Sequence, residues 1–227
     1  MFSIRATSTI TGVLFLLAAV SAILGLLLYD PVLNNPNYLI DGVKYKDQIV
    51  LGALFELILV VSAIGTASTM FPVLQKYNVT IALWHLCFRF MEAVVIIIGI
   101  VSVLSLLSLS QHLTSSPSVD VASIEATGAM LKGAHDWTFM LGPNFFLGIN
   151  TFMYSYLFYK TKIVPRSISI LGLIGSISIF IASLLEMFGV ISQLSVWGGL
   201  LALPVFATEM ILAVWLIVRG FRVTKEG

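Results

Sequence analysis

Charge is scarce in this sequence. Only 10% of its 227 residues are Asp, Glu, Lys or Arg, against 59% hydrophobic, and the mean hydropathy is +1.03. A water-soluble domain of this length covers itself largely with charged side chains. The shortage therefore excludes an ordinary soluble fold and points to a chain whose solvent is the bilayer. A net charge of +1, with no Lys/Arg-rich run, excludes the basic field that nucleic-acid binding needs. The single cysteine, Cys87, has no partner for an internal disulfide. Set inside an apolar run, it is expected to be a buried, inert thiol without a redox role. Catalytic signatures are missing as well. No GxSxG elbow, P-loop, Gly-rich nucleotide fingerprint or HExxH occurs, so no serine nucleophile, metal or other cofactor is indicated.

What is present is long apolar runs. Windows able to cross about 30 Å of hydrocarbon at roughly 1.5 Å per residue number six. They are Ile10–Tyr29, Ile49–Phe71, Ile81–Leu109, His135–Tyr159, Ile168–Val190 and Val196–Val218. The first continues to Tyr29 without the polar break that cleavage needs, so it reads as a retained anchor rather than a signal peptide. The expected fold is all-α: one polytopic transmembrane bundle over residues 1–227 with six crossings.

Basic residues set the orientation. With the N-terminus inside, Arg5, Lys76, Lys160, Lys162, Arg166, Arg219, Arg222 and Lys225 fall on the cytoplasmic side, and Lys44, Lys46 and Lys132 on the other. That bias puts both termini in the cytoplasm, as expected of a multi-pass protein of the cytoplasmic membrane. The inner connections "PVLQKYNV" and "KTKIVPRS" are short. The outer ones are longer, and the second half of "SQHLTSSPSVDVASIEATGAMLKG" has the makings of a short interfacial helix. The sequon Asn78-Val79-Thr80 falls on the inner side, where glycosylation is not expected. Small-xxx-small pairs such as Ala18/Ala22, Ala63/Ala67 and Gly172/Ser176 mark close helix packing.

Ionisable residues inside the spans are the functional candidates. The second span carries Glu56, the third His85, Arg89 and Glu92, the fourth His135 and Asp136, the fifth Glu186 and the sixth Glu209. A charge at mid-bilayer costs between about 2.5 and 17 kcal/mol, so these groups should face one another. His85, Arg89 and Glu92 stand at i, i+4 and i+7 on one helical face. Arg89 can neutralise Glu92, which by itself is no more than a lock on helix register. The surplus of acids goes further: Glu56, Glu209, Asp136 and Glu186 have no Lys or Arg at matching depth. Together they predict an acidic cavity with Arg89 at its floor, opening outward. Gly142–Pro143 and Pro204 are expected to break their helices near this region. His85 and His135 lie too far apart in depth to share a metal, and only a weak His135, Asp136, Glu56 and Glu186 set is geometrically conceivable.

Five segments carry a resemblance: "LGALFELI", "FRFMEAVV", "HDWTFMLGPNFFLG", "VPRSISILGLIG" and "TEMILAVWLIVRGF", in that order across nearly the full chain. The sequence resembles a family of small bacterial and archaeal integral membrane proteins known only as a domain of unknown function. The resemblance implies a six-helix membrane protein and brings no activity. Three functions stay open. The first is binding or transport of a small amphipathic or lipidic ligand. The second is an enzyme using a protonated carboxyl as general acid on an isoprenoid- or lipid-like substrate. The third is a structural or regulatory protein whose charges only lock the bundle. Membrane lipids are the expected surroundings, and a homodimer suits so small a chain.

Overall fold

Apolar chain in a membrane can satisfy its backbone groups internally only as helix or closed barrel. The computed structural model describes residues 3–115 and 120–222; among these there are helices and turns but no strands. Five helical segments are each long and apolar enough to cross a bilayer: Ile4–Leu28, Tyr38–Leu74, Val79–Ser115, Arg166–Met187 and Val196–Val218. The elements in chain order are α1 (Ile4–Leu28), α2 (Asp30–Leu33), α3 (Tyr38–Asp41), a 3-10 turn (Gly42–Tyr45), α4 (Lys46–Leu74), α5 (Val79–Ser115), α6 (Val121–Met140), a π-helical turn (Leu141–Phe146), α7 (Leu147–Thr161), α8 (Arg166–Met187) and α9 (Val196–Val218). Lys225, counted above among the basic residues, lies outside the described residues.

Polar side chains cap these helices. Ser3 accepts from the Ala6 amide, Asp120 from Ala122 and Ser195 from Gly198. The Ser123 hydroxyl, 2.6 Å from Asp120, holds that carboxyl below the usual range. Asn78, the residue of the sequon, accepts from the Ile81 amide at 2.9 Å and so caps α5. Asn78→Ala is expected to lower thermal stability by about 1 kcal/mol, and Asn78→Asp to keep most of it. Equal melting of all three proteins would show that this cap contributes nothing.

The helices close into a ring in chain order. α1 packs on α4, α4 on α5, α5 on the α6–π–α7 unit, α7 on α8, α8 on α9, and α9 back on α1. The first turns of α1 and the residues after α9 meet at one end of this ring. Arg5 donates to the Ile217 carbonyl, the Phe221 amide to Ser8 Oγ and the Arg222 amide to the Ile163 carbonyl. Glycine permits the closest approaches. A Cβ on Gly12 would stand 2.6 Å from the Ala213 carbonyl oxygen, and one on Gly175 would stand 2.7 Å from the Val205 nitrogen.

Besides a small cluster of Ile179, Ala182 and Val205 between α8 and α9, two larger apolar cores divide the interior. One, near the termini, joins Phe15, Met70, Tyr154, Phe158, Leu212 and Phe221. The other, at the far end, joins Tyr29, Val32, Ile49, Ile96, Val103 and Leu106. The charged residues lie between them.

Several expectations change. The fourth span is no single regular helix; it is the second half of a long unit broken by the π turn. Pro143 removes the amide that would bond the Phe139 carbonyl, and Gln193 donates to that carbonyl instead at 2.9 Å. The residues expected to form a short interfacial helix become α6, which runs directly into this unit. α4 continues through Pro72 to Leu74, and α9 runs as one helix through Pro204, where a break was expected; a proline removes one ladder bond, and packing against neighbouring helices keeps both continuous. The first outer connection folds into α2, α3 and the 3-10 turn, burying Val32, Leu33 and Leu39. Cys87 is exposed, not buried. It stands two residues from His85 and two from Arg89, on the opposite side of α5 from the inward stripe.

Candidate intramembrane site

The inward face of α5 presents His85, Arg89 and Glu92, all at most 4% exposed. Arg89 Nη1 lies 3.0 Å from both Glu92 oxygens. Its Nε donates to the Ala63 carbonyl on α4 at 3.3 Å, and its Nη2 stands 3.6 Å from Glu209 Oε1 on α9. The Phe15 ring of α1 sits 6.0 Å from the guanidinium carbon. Asn150 of α7 donates to Glu92 Oε2 at 2.9 Å. One guanidinium thus touches α1, α4 and α9 while its carboxylate partner touches α7. This is how a desolvated charge pair becomes tolerable: each charge is met by an opposite charge and by further hydrogen bonds.

A cavity of about 340 Å³ lies above this pair, lined from every part of the ring. Arg89, Glu92 and Glu209 form its polar floor, and Glu56 and His135 contribute from α4 and α6. The remaining walls are mostly aliphatic, with Phe139 and Phe206. Glu56 packs against Gly25, where a Cβ would come within 2.7 Å of its Cγ. Among the described residues no cation or hydrogen-bond donor reaches Glu56. Glu209 Oε1 has the Arg89 contact at 3.6 Å and no hydrogen bond. His135 is stacked on Phe139 with centroids 5.9 Å apart and meets Tyr29 edge-on at 6.1 Å.

The structure therefore brings together five of the eight sequence candidates: Glu56, Arg89, Glu92, His135 and Glu209. It leaves three apart. His85 lies one turn below Arg89, edge-on to Tyr154 at 5.5 Å and outside the cavity lining. Asp136 is exposed, its Oδ1 3.5 Å from His135 Nδ1. Glu186 accepts a 2.8 Å hydrogen bond from Asn144, which ties the end of α8 to the π turn. The conceivable His135, Asp136, Glu56 and Glu186 metal set is not assembled, because among the described residues no three His, Cys, Asp or Glu side chains cluster as ligands would. Asn150, not among the eight candidates, holds Glu92. An asparagine in an apolar span is a visible signal, but its partner lies 58 positions away and no local pattern reveals it.

A ring of apolar helices around a buried charged interior defines a multi-pass α-helical membrane protein. Within that class the chain belongs to the family described as Domain of unknown function (DUF4386), whose sequence model matches residues 10–220. Comparison with curated proteins and with solved structures found no match.

Proposed function

We propose that the protein binds a small amphipathic molecule within the bilayer, in the cavity above Arg89, and carries or presents it there. Six crossings hold that site, the α6–π–α7 unit supplying the one that no single helix spans, with both termini in the cytoplasm. The N- and C-terminal segments share one end of the ring with Lys160, Lys162 and Arg166, in keeping with positive charge inside. One observation carries the binding reading. The cavity is apolar with a few convergent polar groups, and its arginine is hydrogen-bonded to Glu92, so that Glu209, with only a 3.6 Å contact to it, and Glu56 retain carboxylate oxygens for a ligand. The Arg89–Glu92 pair itself favours a second role, that of a structural lock.

Native mass spectrometry on gently solubilised protein, followed by extraction of co-purifying compounds, separates the two. A bound mass in the wild type, weakened about 10–100-fold in Glu56→Gln and Glu209→Gln proteins that melt normally, supports ligand binding. An empty wild type, with both variants losing stability instead, assigns all the charges to the lock and overturns the proposal.

A further inference from the structure

The cavity wall is incomplete on one side. Of the residues lining it, Ile23 and Phe206 are also 50% and 44% exposed on the outside of the ring. Both belong to one seam, the contact of α9 with α1 that closes the ring. Toward the termini that seam is shut, with Gly12 against Ala213 and Ile217, and with the Arg5 and Ser8 hydrogen bonds clamping it. Further along, α1 offers Ala18, Ala19 and Ala22 to the cavity and α9 offers Ala202, small side chains interspersed with Ile23 and Leu26 on one helix and Val205 and Phe206 on the other. A side chain that lines a cavity and also reaches the outer surface marks an edge of its opening. Here one such edge belongs to α1 and the other to α9, the two helices that meet at the seam.

The far end of the ring is covered. Tyr29, Val32, Leu33 and Leu39 are buried where α2 and α3 fold over it, and Gln193 ties the α8–α9 connection to the Phe139 carbonyl. A route from outer solvent through the loops meets packed side chains. A route from the hydrocarbon meets a slot.

We propose that the ligand arrives sideways from the bilayer between α1 and α9. We further assign it as a single-chain amphiphile with a cationic head group, its chain in the slot and its head at Glu209 and Glu56. This rests on the binding role argued above. The charge follows from those two carboxylates: Glu209 shares Arg89 with Glu92 and has it only at 3.6 Å without a hydrogen bond, and among the described residues no cation reaches Glu56. The single chain follows from size, since about 340 Å³ is at the small end of ligand sites.

The test uses the full chain reconstituted in phosphatidylcholine nanodiscs, with dodecylamine, 1-dodecanol and dodecanoate as probes and binding followed over time by native mass spectrometry. Dodecylamine should bind at least about tenfold more tightly than dodecanoate. Ile23→Trp/Phe206→Trp should slow dodecylamine uptake by about tenfold, the effect of roughly 1.4 kcal/mol of added barrier, and Phe206→Ala should hasten it. Leu27→Trp/Leu203→Trp, placed on exposed positions outside the lining, should change neither rate nor affinity. Normal uptake in the well-folded seam variant, or no gain in Phe206→Ala, overturns the lateral route while leaving binding intact. Equal affinity for dodecanoate overturns the cationic head group. Failure of every probe, with no co-purifying compound, removes the binding role itself and this inference with it.

Discussion

Arg89→Met is expected to cost about 3–5 kcal/mol of stability, the largest loss of any single substitution in the charged interior. The change removes both contacts to Glu92, the bond to the Ala63 carbonyl and the ion pair with Glu209. Glu92 then remains 4% exposed with Asn150 as its only donor. An uncompensated carboxylate at that depth either unfolds the ring or takes up a proton. Arg89→Lys should fall between the two, because an ammonium cannot serve both Glu92 oxygens and the carbonyl at once. The double variant Arg89→Met/Glu92→Met should recover most of the loss, since it removes the second charge along with the first. Thermal unfolding in detergent micelles across this set, completed by Glu92→Met alone, forms a double-mutant cycle. If the single variant melts like the wild type, the pair is no lock. If the double variant is as damaged as the single, the pair contributes more than mutual neutralisation.

Much of this arrangement is legible in the sequence, and the reason is local. The i, i+4, i+7 spacing of His85, Arg89 and Glu92 fixes their shared face whatever α5 packs against. The apolar runs mark α1, α4, α5, α8 and α9, whereas the fourth run straddles the α6–π–α7 unit. The convergence of Glu56, Arg89, Glu92, His135 and Glu209 also follows from a local rule, that charge in a bilayer turns inward. What stayed hidden depends on pairs remote in sequence. The bond from Asn150 to Glu92 and the one from Gln193 to the carbonyl freed by Pro143 belong to this group. Hydropathy also misplaced Cys87, because a residue in an apolar span can face lipid as readily as core, and only its offset from the His85, Arg89 and Glu92 stripe tells the two apart. The α2–α3 cover was missed for a related reason: short helices in a loop are stabilised by the core they bury, not by any repeat.

The same glycine-to-alanine change is expected to act with opposite signs at two positions. At Gly175 a Cβ would stand 2.7 Å from the Val205 nitrogen, 2.8 Å from its Cα and 2.9 Å from the Pro204 carbonyl carbon. All three are backbone atoms of α9, so no side chain can swing aside and the helices must separate. Overpacking of this kind costs about 1–3 kcal/mol, with leucine at or above the top of that range. At Gly133, in α6, a Cβ meets nothing within 4 Å, and alanine there should gain up to about 1 kcal/mol from helix propensity alone. The Gly175 change should also reach the site. Val205 lines the cavity and Glu209 lies one turn beyond it, so pushing α9 off α8 moves the carboxylate that stands 3.6 Å from Arg89. Gly175→Ala should therefore weaken both melting and ligand retention, whereas Gly133→Ala raises melting and leaves retention alone. If both variants are stabilised, the α8–α9 contact is looser than the structure has it, and Glu209 is not held in place by that packing. If Gly175→Ala lowers melting but spares retention, the position of Glu209 is set by Arg89 rather than by the helix that carries it.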